Sequence, residues 1–136
     1  MQIADIQAIV VRSPDYDPAS IDNAHEAAVV RIISDDGLVG VGEAAASPRA
    51  IKALIDEDTS WAWSRGIREL LVGEDARDPR ALWRKLYDGT WWWGRAGLGH
   101  VALAGIDMAL WDLAGKAAGV PVWQLLGERR PEGITP

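Results

Sequence analysis

The chain has no cysteine and no phenylalanine, and only two histidines and two methionines in 136 residues. Without cysteine there are no disulfide staples, no thiolate metal ligands and no cysteine nucleophile, so stability must come from packing. The two histidines, His25 and His100, have no serine partner in a triad-like context, which leaves nucleophilic catalysis without support. Long apolar runs are missing too. The longest strongly apolar stretch near the C-terminus starts at Ala96 and meets Asp107 after eleven residues, then Asp112 and Lys116, far short of a bilayer span. No transmembrane helix is expected, and membrane partners are excluded.

Basic charge is in the minority, with 14 Lys and Arg against 20 Asp and Glu, a net charge of −6. The Arg and Lys residues are scattered, and an acidic chain without a basic face repels phosphate backbones, so no nucleic-acid partner is expected. Met1 leads into a mixed polar and apolar segment with no basic region, apolar core and small-residue cleavage site, which reads as cytoplasmic.

What is present is the composition of a soluble globular domain, 49% hydrophobic and 25% charged. A single domain of this length buries roughly two-thirds of its unfolded surface, enough for one core. The first third is rich in Val and Ile: Ile3, Ile6 and Ala8 to Val11, then Ala27 to Ile33, then Leu38 to Val41. These predict three short strands. Ser34-Asp35-Asp36-Gly37 supplies a hairpin turn between the second and third, because Asp-Gly tolerates positive φ. Ser13 to His25, with Pro14 and Pro18, is too long and broken for a turn and reads as a functional loop.

After Glu43 the periodicity becomes helical. Ser47 reads as an N-cap with Pro48 at the first helical position, followed by Ile51, Leu54 and Ile55 as the buried stripe. A second helix is predicted from Ser60, with Trp63, Ile67, Leu70 and Leu71 at helical spacing and Gly73 as terminator. Asp78-Pro79 opens a third with Leu82, Trp83, Leu86 and Tyr87. The last long helix runs from about Leu98 to Ala118, with Ala102, Ile106, Ala109, Leu113 and Ala117 on one stripe and Gly119 after it; Pro121 to Leu126 makes a short further turn. The fold class is α+β, a three-stranded antiparallel meander followed by a helical bundle packed on one sheet face. No repeat or linker divides the chain.

The segment from Gly97 to Lys116, GLGHVALAGIDMALWDLAGK, closely resembles the signature helix of the N-terminal capping domain of the mandelate racemase/muconate lactonizing enzymes, within the enolase superfamily. Gly119 to Gly127 is similar to that family's passage toward its barrel, Asp35 to Glu43 to its second hairpin, and Gly73 to Pro79 to its helix connector. The resemblance covers almost the whole chain and implies an enolase-like capping domain over residues 1–127. Residues 128–136 would start the connection to a (β/α) barrel that this chain does not contain. Departures from the family pattern lie in Thr59 to Arg65 and in Trp91-Trp92-Trp93.

The resemblance implies a parent enzyme that abstracts the proton α to a carboxylate, with Mg²⁺ and a Lys or His base on barrel strands. Dehydration of an acid sugar, racemisation and cycloisomerisation all remain open. No catalytic or metal residue is assigned in this chain, and it is expected to be inactive alone. The implied partners are a barrel in cis or in trans, a small carboxylic acid in the full enzyme, and further copies of the chain in a homo-oligomer. The loop residues Tyr16, Asp17, Asp22, Asn23 and His25, with Ser47 after the third strand, are the substrate-capping candidates, since the family's corresponding segments close over the barrel mouth. The competing reading is a free-standing binding or assembly module that kept the cap fold and meets its partner through tryptophans.

Other polar groups have plainer explanations. Asp56-Glu57-Asp58 and Glu74-Asp75 read as helix-end and loop charges, not a magnesium site. Asp107 and Asp112 are roughly 140° apart around their helix and do not share a face. Glu43 is expected in a salt bridge or helix cap, and His100 in a structural role. Trp91, Trp92 and Trp93 read as core or interface packing ahead of a stacking platform.

Overall fold

Successive residues of an extended chain point to opposite sides, and the first thirty-odd residues use that alternation to build one buried face. The computed structural model describes residues 1–19, 21, 26–45 and 47–127. In it β1 (Ile3–Arg12), β2 (Glu26–Ser34) and β3 (Val39–Ala44) form an antiparallel meander in the order β1-β2-β3. Ile6, Ala8, Ala28, Val30, Ile32 and Ala44 are buried on the inner face. The β2–β3 turn forms where the Asp-Gly pair predicts it: Gly37 has φ of 89° and its N–H donates to the Ser34 carbonyl at 3.0 Å.

Among the described residues five helices follow: α1 (Pro48–Asp56), α2 (Ile67–Leu71), α3 (Pro79–Gly89), α4 (Gly97–Ala118) and α5 (Val122–Leu126). The α4 helix is the central element, burying Ala102, Leu103, Ile106, Ala109, Leu110 and Leu113 against β2 and β3. Glycines set the spacing of that contact. A Cβ on Gly42 would stand 2.8 Å from the Ala109 nitrogen and closer still to the Gly105 carbonyl; one on Gly40 would stand 2.6 Å from Leu113 Cβ and closer still to the Ala109 carbonyl. Only a strand stripped of side chains at these two positions lets the helix backbone come so near.

The outer edge of β3 is closed by the same helix. Asp112 accepts from the Val41 N–H at 2.7 Å, and Lys116 donates to the Val39 carbonyl at 2.8 Å. At the other edge, residues 73–75 run beside the start of β1, with Ile3 N–H donating to Glu74 and Gly73 N–H donating to Ile3 at 2.9 and 2.8 Å. At these positions edge groups that would otherwise template pairing with another chain are satisfied.

Three expectations need correction. The segment from Ser60 to Arg65 is not helical: Gly66 is extended, its N–H bonds to the Thr59 hydroxyl at 2.8 Å, and only Ile67–Leu71 form a helix. Side-chain hydrogen bonding by Thr59 competes there with the helical ladder, and Trp63 ends up exposed. Ser47 does occupy the N-cap position of α1 ahead of Pro48, but its hydroxyl makes no cap bond; its carbonyl accepts from Ala50 and Ile51 instead. Ala117 is exposed because the sheet ends opposite Lys116, leaving its side of the final turn of α4 uncovered by the sheet. The other caps form as read: the Asp78 side chain accepts from Ala81 N–H at 3.0 Å, and Gly119 closes α4 with φ of 67°. Residues 128–136 lie outside the described residues.

Candidate functional site

Where β1 ends, β2 begins and α1 starts, opposite charges meet. Arg12 and Glu26 are register partners across the β1–β2 ladder and form an ion pair at 2.6 Å. Arg49, in the first turn of α1, reaches the same Glu26 oxygen at 3.3 Å. The Arg12 hydrogen bond, working against desolvation, holds the Glu26 carboxyl below the ordinary glutamate range. One carboxylate therefore ties together the two roots of the long loop and the start of α1. Sequence reading passed over this trio, although opposite charges at the mouths of two strands joined by a loop are a readable signal.

The loop begins with local order. The Arg12 guanidinium lies over the Tyr16 ring at 4.0 Å, and the Tyr16 N–H donates to the Ser13 carbonyl at 3.2 Å. The Asp17 carboxylate accepts from the Ala19 N–H at 2.9 Å, an Asx-type turn. Of the six capping candidates, Tyr16 is half-buried against Arg12, and Asp17 and Ser47 are exposed. The strand register and the Glu26 ties put Tyr16 and Ser47 at the same end of the sheet. Asp22, Asn23 and His25 lie outside the described residues. Glu43 is exposed on the outer sheet face opposite Val29, and among the described residues its carboxylate makes neither the ion pair nor the helix cap expected of it.

Several acidic groups elsewhere are committed to structural partners. Asp56 pairs with Lys52 at 2.5 Å, Glu74 with Lys85 at 2.6 Å, and Asp75 with Arg77 at 2.6 Å. The Arg77 hydrogen bonds bring the Asp75 carboxyl down to about 2. Asp112 caps the β3 edge and pairs with Lys116 at 2.6 Å. Asp107 sits half-buried beside Trp111, and desolvation pushes its carboxyl above the ordinary aspartate range. Among the described residues no three His, Asp or Glu side chains converge to hold a metal ion. This donor set does not fit magnesium, which needs several oxygen ligands in near-octahedral array. His100 is exposed and lies edge-on to Trp83 with ring centroids 6.0 Å apart. Of the three consecutive tryptophans, Trp93 packs against the core while Trp91 and Trp92 stay exposed.

Known proteins share this architecture. Residues 6–127 match the family model described as mandelate racemase/muconate lactonizing enzyme, N-terminal domain. A D-galactonate dehydratase family member of Paenibacillus sp. strain JDR-2 is 41% identical over 102 residues, covering 73% of this chain and 23% of the relative. A D-mannonate dehydratase of Sphingomonas sp. strain SKA58 is 38% identical over 105 residues, covering 77% and 24%. The crystal structure of the 3,6-anhydro-D-galactonate cycloisomerase from Zobellia galactanivorans superposes with a TM-score of 0.73 at 29% identity, over 93% of this chain and 32% of that one. The chain thus spans about a quarter of the length of the curated relatives it matches.

Proposed function

Since this chain belongs, as an N-terminal domain, to the mandelate racemase/muconate lactonizing enzyme family of the enolase superfamily, we propose that it caps the active site of an enzyme acting on the α-proton of an acid sugar. The observation that carries the reading is the family match over residues 6–127, together with relatives of whose length the matched stretch makes up about a quarter, two of them named for sugar-acid dehydration. The barrel that follows in those relatives would hold Mg²⁺ and the base. Bound there, the metal would stabilise negative charge developing on the substrate carboxylate as the α-proton leaves. This chain supplies shape and exclusion of water. Tyr16 and Asp17 on the loop and Ser47 at the start of α1 would face the barrel mouth, with Asp22, Asn23 and His25 completing the loop. The Arg12–Glu26–Arg49 trio positions both segments on one anchor.

The test is calorimetry with Mg²⁺ and a panel of acid sugars, together with α-proton exchange in D₂O. It is run on this chain alone and on the chain mixed with the remaining C-terminal part of the D-mannonate dehydratase relative. The expected result is neither saturable binding nor exchange by the chain alone, with exchange appearing on mixing. Exchange by the chain alone, or a barrel whose exchange rate is indifferent to the chain, would refute the capping reading.

A further inference from the structure

Four of the eight tryptophans meet on one exposed surface that the capping reading leaves unused. Trp61 and Trp63 come from the non-helical stretch before α2, and Trp91 and Trp92 from the turn between α3 and α4. The Trp92 N–H donates to the Trp63 carbonyl at 3.0 Å, so the two segments are joined through backbone. Ring centroids of Trp61 and Trp63, Trp61 and Trp92, and Trp63 and Trp91 are 5.6, 5.5 and 5.5 Å apart, each indole propping the next. The four are nonetheless 46%, 56%, 49% and 64% exposed. At up to ~250 Å² per tryptophan they present roughly 500 Å² of aromatic surface, near the upper limit for a soluble monomer.

We propose that this surface is the centre of a two-fold interface between two copies of this chain. Area is the first argument. A stable dimer needs about 800 Å² from each partner, so the indoles alone supply more than half of one side and the surrounding residues need add only about 300 Å². Composition is the second, since Trp, Tyr and Arg are the side chains that dominate binding energy at interface centres, and Arg95 stacks at 3.4 Å on Tyr87 beside the patch. Charge is the third. Among the described residues the buried Arg95 Nε has no hydrogen-bond partner, and the one carboxylate paired with its guanidinium, that of the exposed Asp88, stands 3.9 Å away. A patch carrying both signs at its rim is complementary to its own two-fold copy, which places Asp88 of one chain toward Arg95 of the other. Ring geometry argues against a flat ligand instead: the contacting indole planes are inclined by 38° to 69°, leaving no coplanar platform.

Sedimentation velocity between about 1 and 100 µM tests this with three proteins: the unaltered chain, Trp92→Lys, and Val41→Lys on the outer sheet face. The expected result is a dimer whose dissociation constant rises by roughly 30-fold or more in Trp92→Lys and is unchanged in Val41→Lys. Acrylamide quenching of the unaltered chain gives a readout independent of any variant's folding, with tryptophan accessibility falling as the dimer forms. A monomer across the range, a dimer equally tight in Trp92→Lys, a dimer lost in Val41→Lys, or quenching indifferent to concentration would each overturn the proposal. The last two would move the contact to the sheet or to α5.

Discussion

Replacing Gly42 by alanine should loosen the whole domain through one added methyl. That carbon would sit 2.8 Å from the Ala109 nitrogen and nearer still to the Gly105 carbonyl, where ordinary contacts need about 3.5 Å. Both obstacles are helix backbone and cannot swing aside, so α4 must withdraw from β3 by about 1 Å, a gap that forfeits a quarter to a half of each dispersion contact it opens. Overpacking against a fixed obstacle costs about 3 kcal/mol, the stretched Asp112 to Val41 bond adds about 1, and replacing a strand glycine returns about 0.5 to 1. The net loss is about 3 kcal/mol, against a total stability of roughly 7 to 20 for a chain of this length. The variant therefore still folds, and its melting temperature should fall by about 10 °C. Denaturation followed by far-UV circular dichroism in urea and on heating measures both quantities. Gly105→Ala is the internal control. Its Cβ would meet the Ala44 Cβ, the Glu43 carbonyl and the Ala44 nitrogen at 3.0, 3.1 and 3.2 Å, a crowding of tenths of an ångström that about 1 kcal/mol of helix propensity offsets in part, so it should cost clearly less than Gly42→Ala. A Gly42→Ala loss below about 0.5 kcal/mol would refute the close approach of helix and strand.

Asp107→Asn should raise the melting temperature near pH 7 and leave it unchanged near pH 3. The folded carboxyl titrates above its ordinary value, so its favourable contribution exists only while protonated and is lost as pH rises through the folded pKa; an amide escapes that loss. Equal effects at both pH values in a pair of melting scans would contradict the desolvation argument. Asp112→Ala should cost about 1 kcal/mol and speed hydrogen exchange at the Val41 amide above all others in β3, since that N–H loses its acceptor. Unchanged protection at Val41 would mean that solvent or another group already serves it.

The meander was legible because three short segments are rich in Val and Ile and Asp36-Gly37 favours the positive φ that a hairpin turn uses. Asp78-Pro79 and Gly119 marked helix ends for equally local reasons. The stretch from Ser60 to Arg65 was not legible, since Trp63, Ile67 and Leu70 are spaced as on a helix while the deciding contact, Thr59 to Gly66, spans seven residues and competes with it. At the candidate site the loop could be placed and the Arg12–Glu26 pair at its roots was there to be read, but nothing local says that Arg49, 23 residues along the chain from Glu26, returns to share the same carboxylate. Gly40 and Gly42 likewise read as weak strand residues, and their purpose emerges only once α4 lies across them.

The distribution of indoles decides how this protein reports on itself spectroscopically. None of the eight tryptophans is fully buried, and four are close enough to couple electronically, so near-ultraviolet dichroism and emission arise mostly from a surface cluster. Emission will thus follow the loosening of residues 57–66 and 90–93, while far-ultraviolet dichroism follows α4 and the sheet. Two melting curves that fail to coincide would then signify a fraying rim around an intact core, and the usual inference of a populated folding intermediate would not apply.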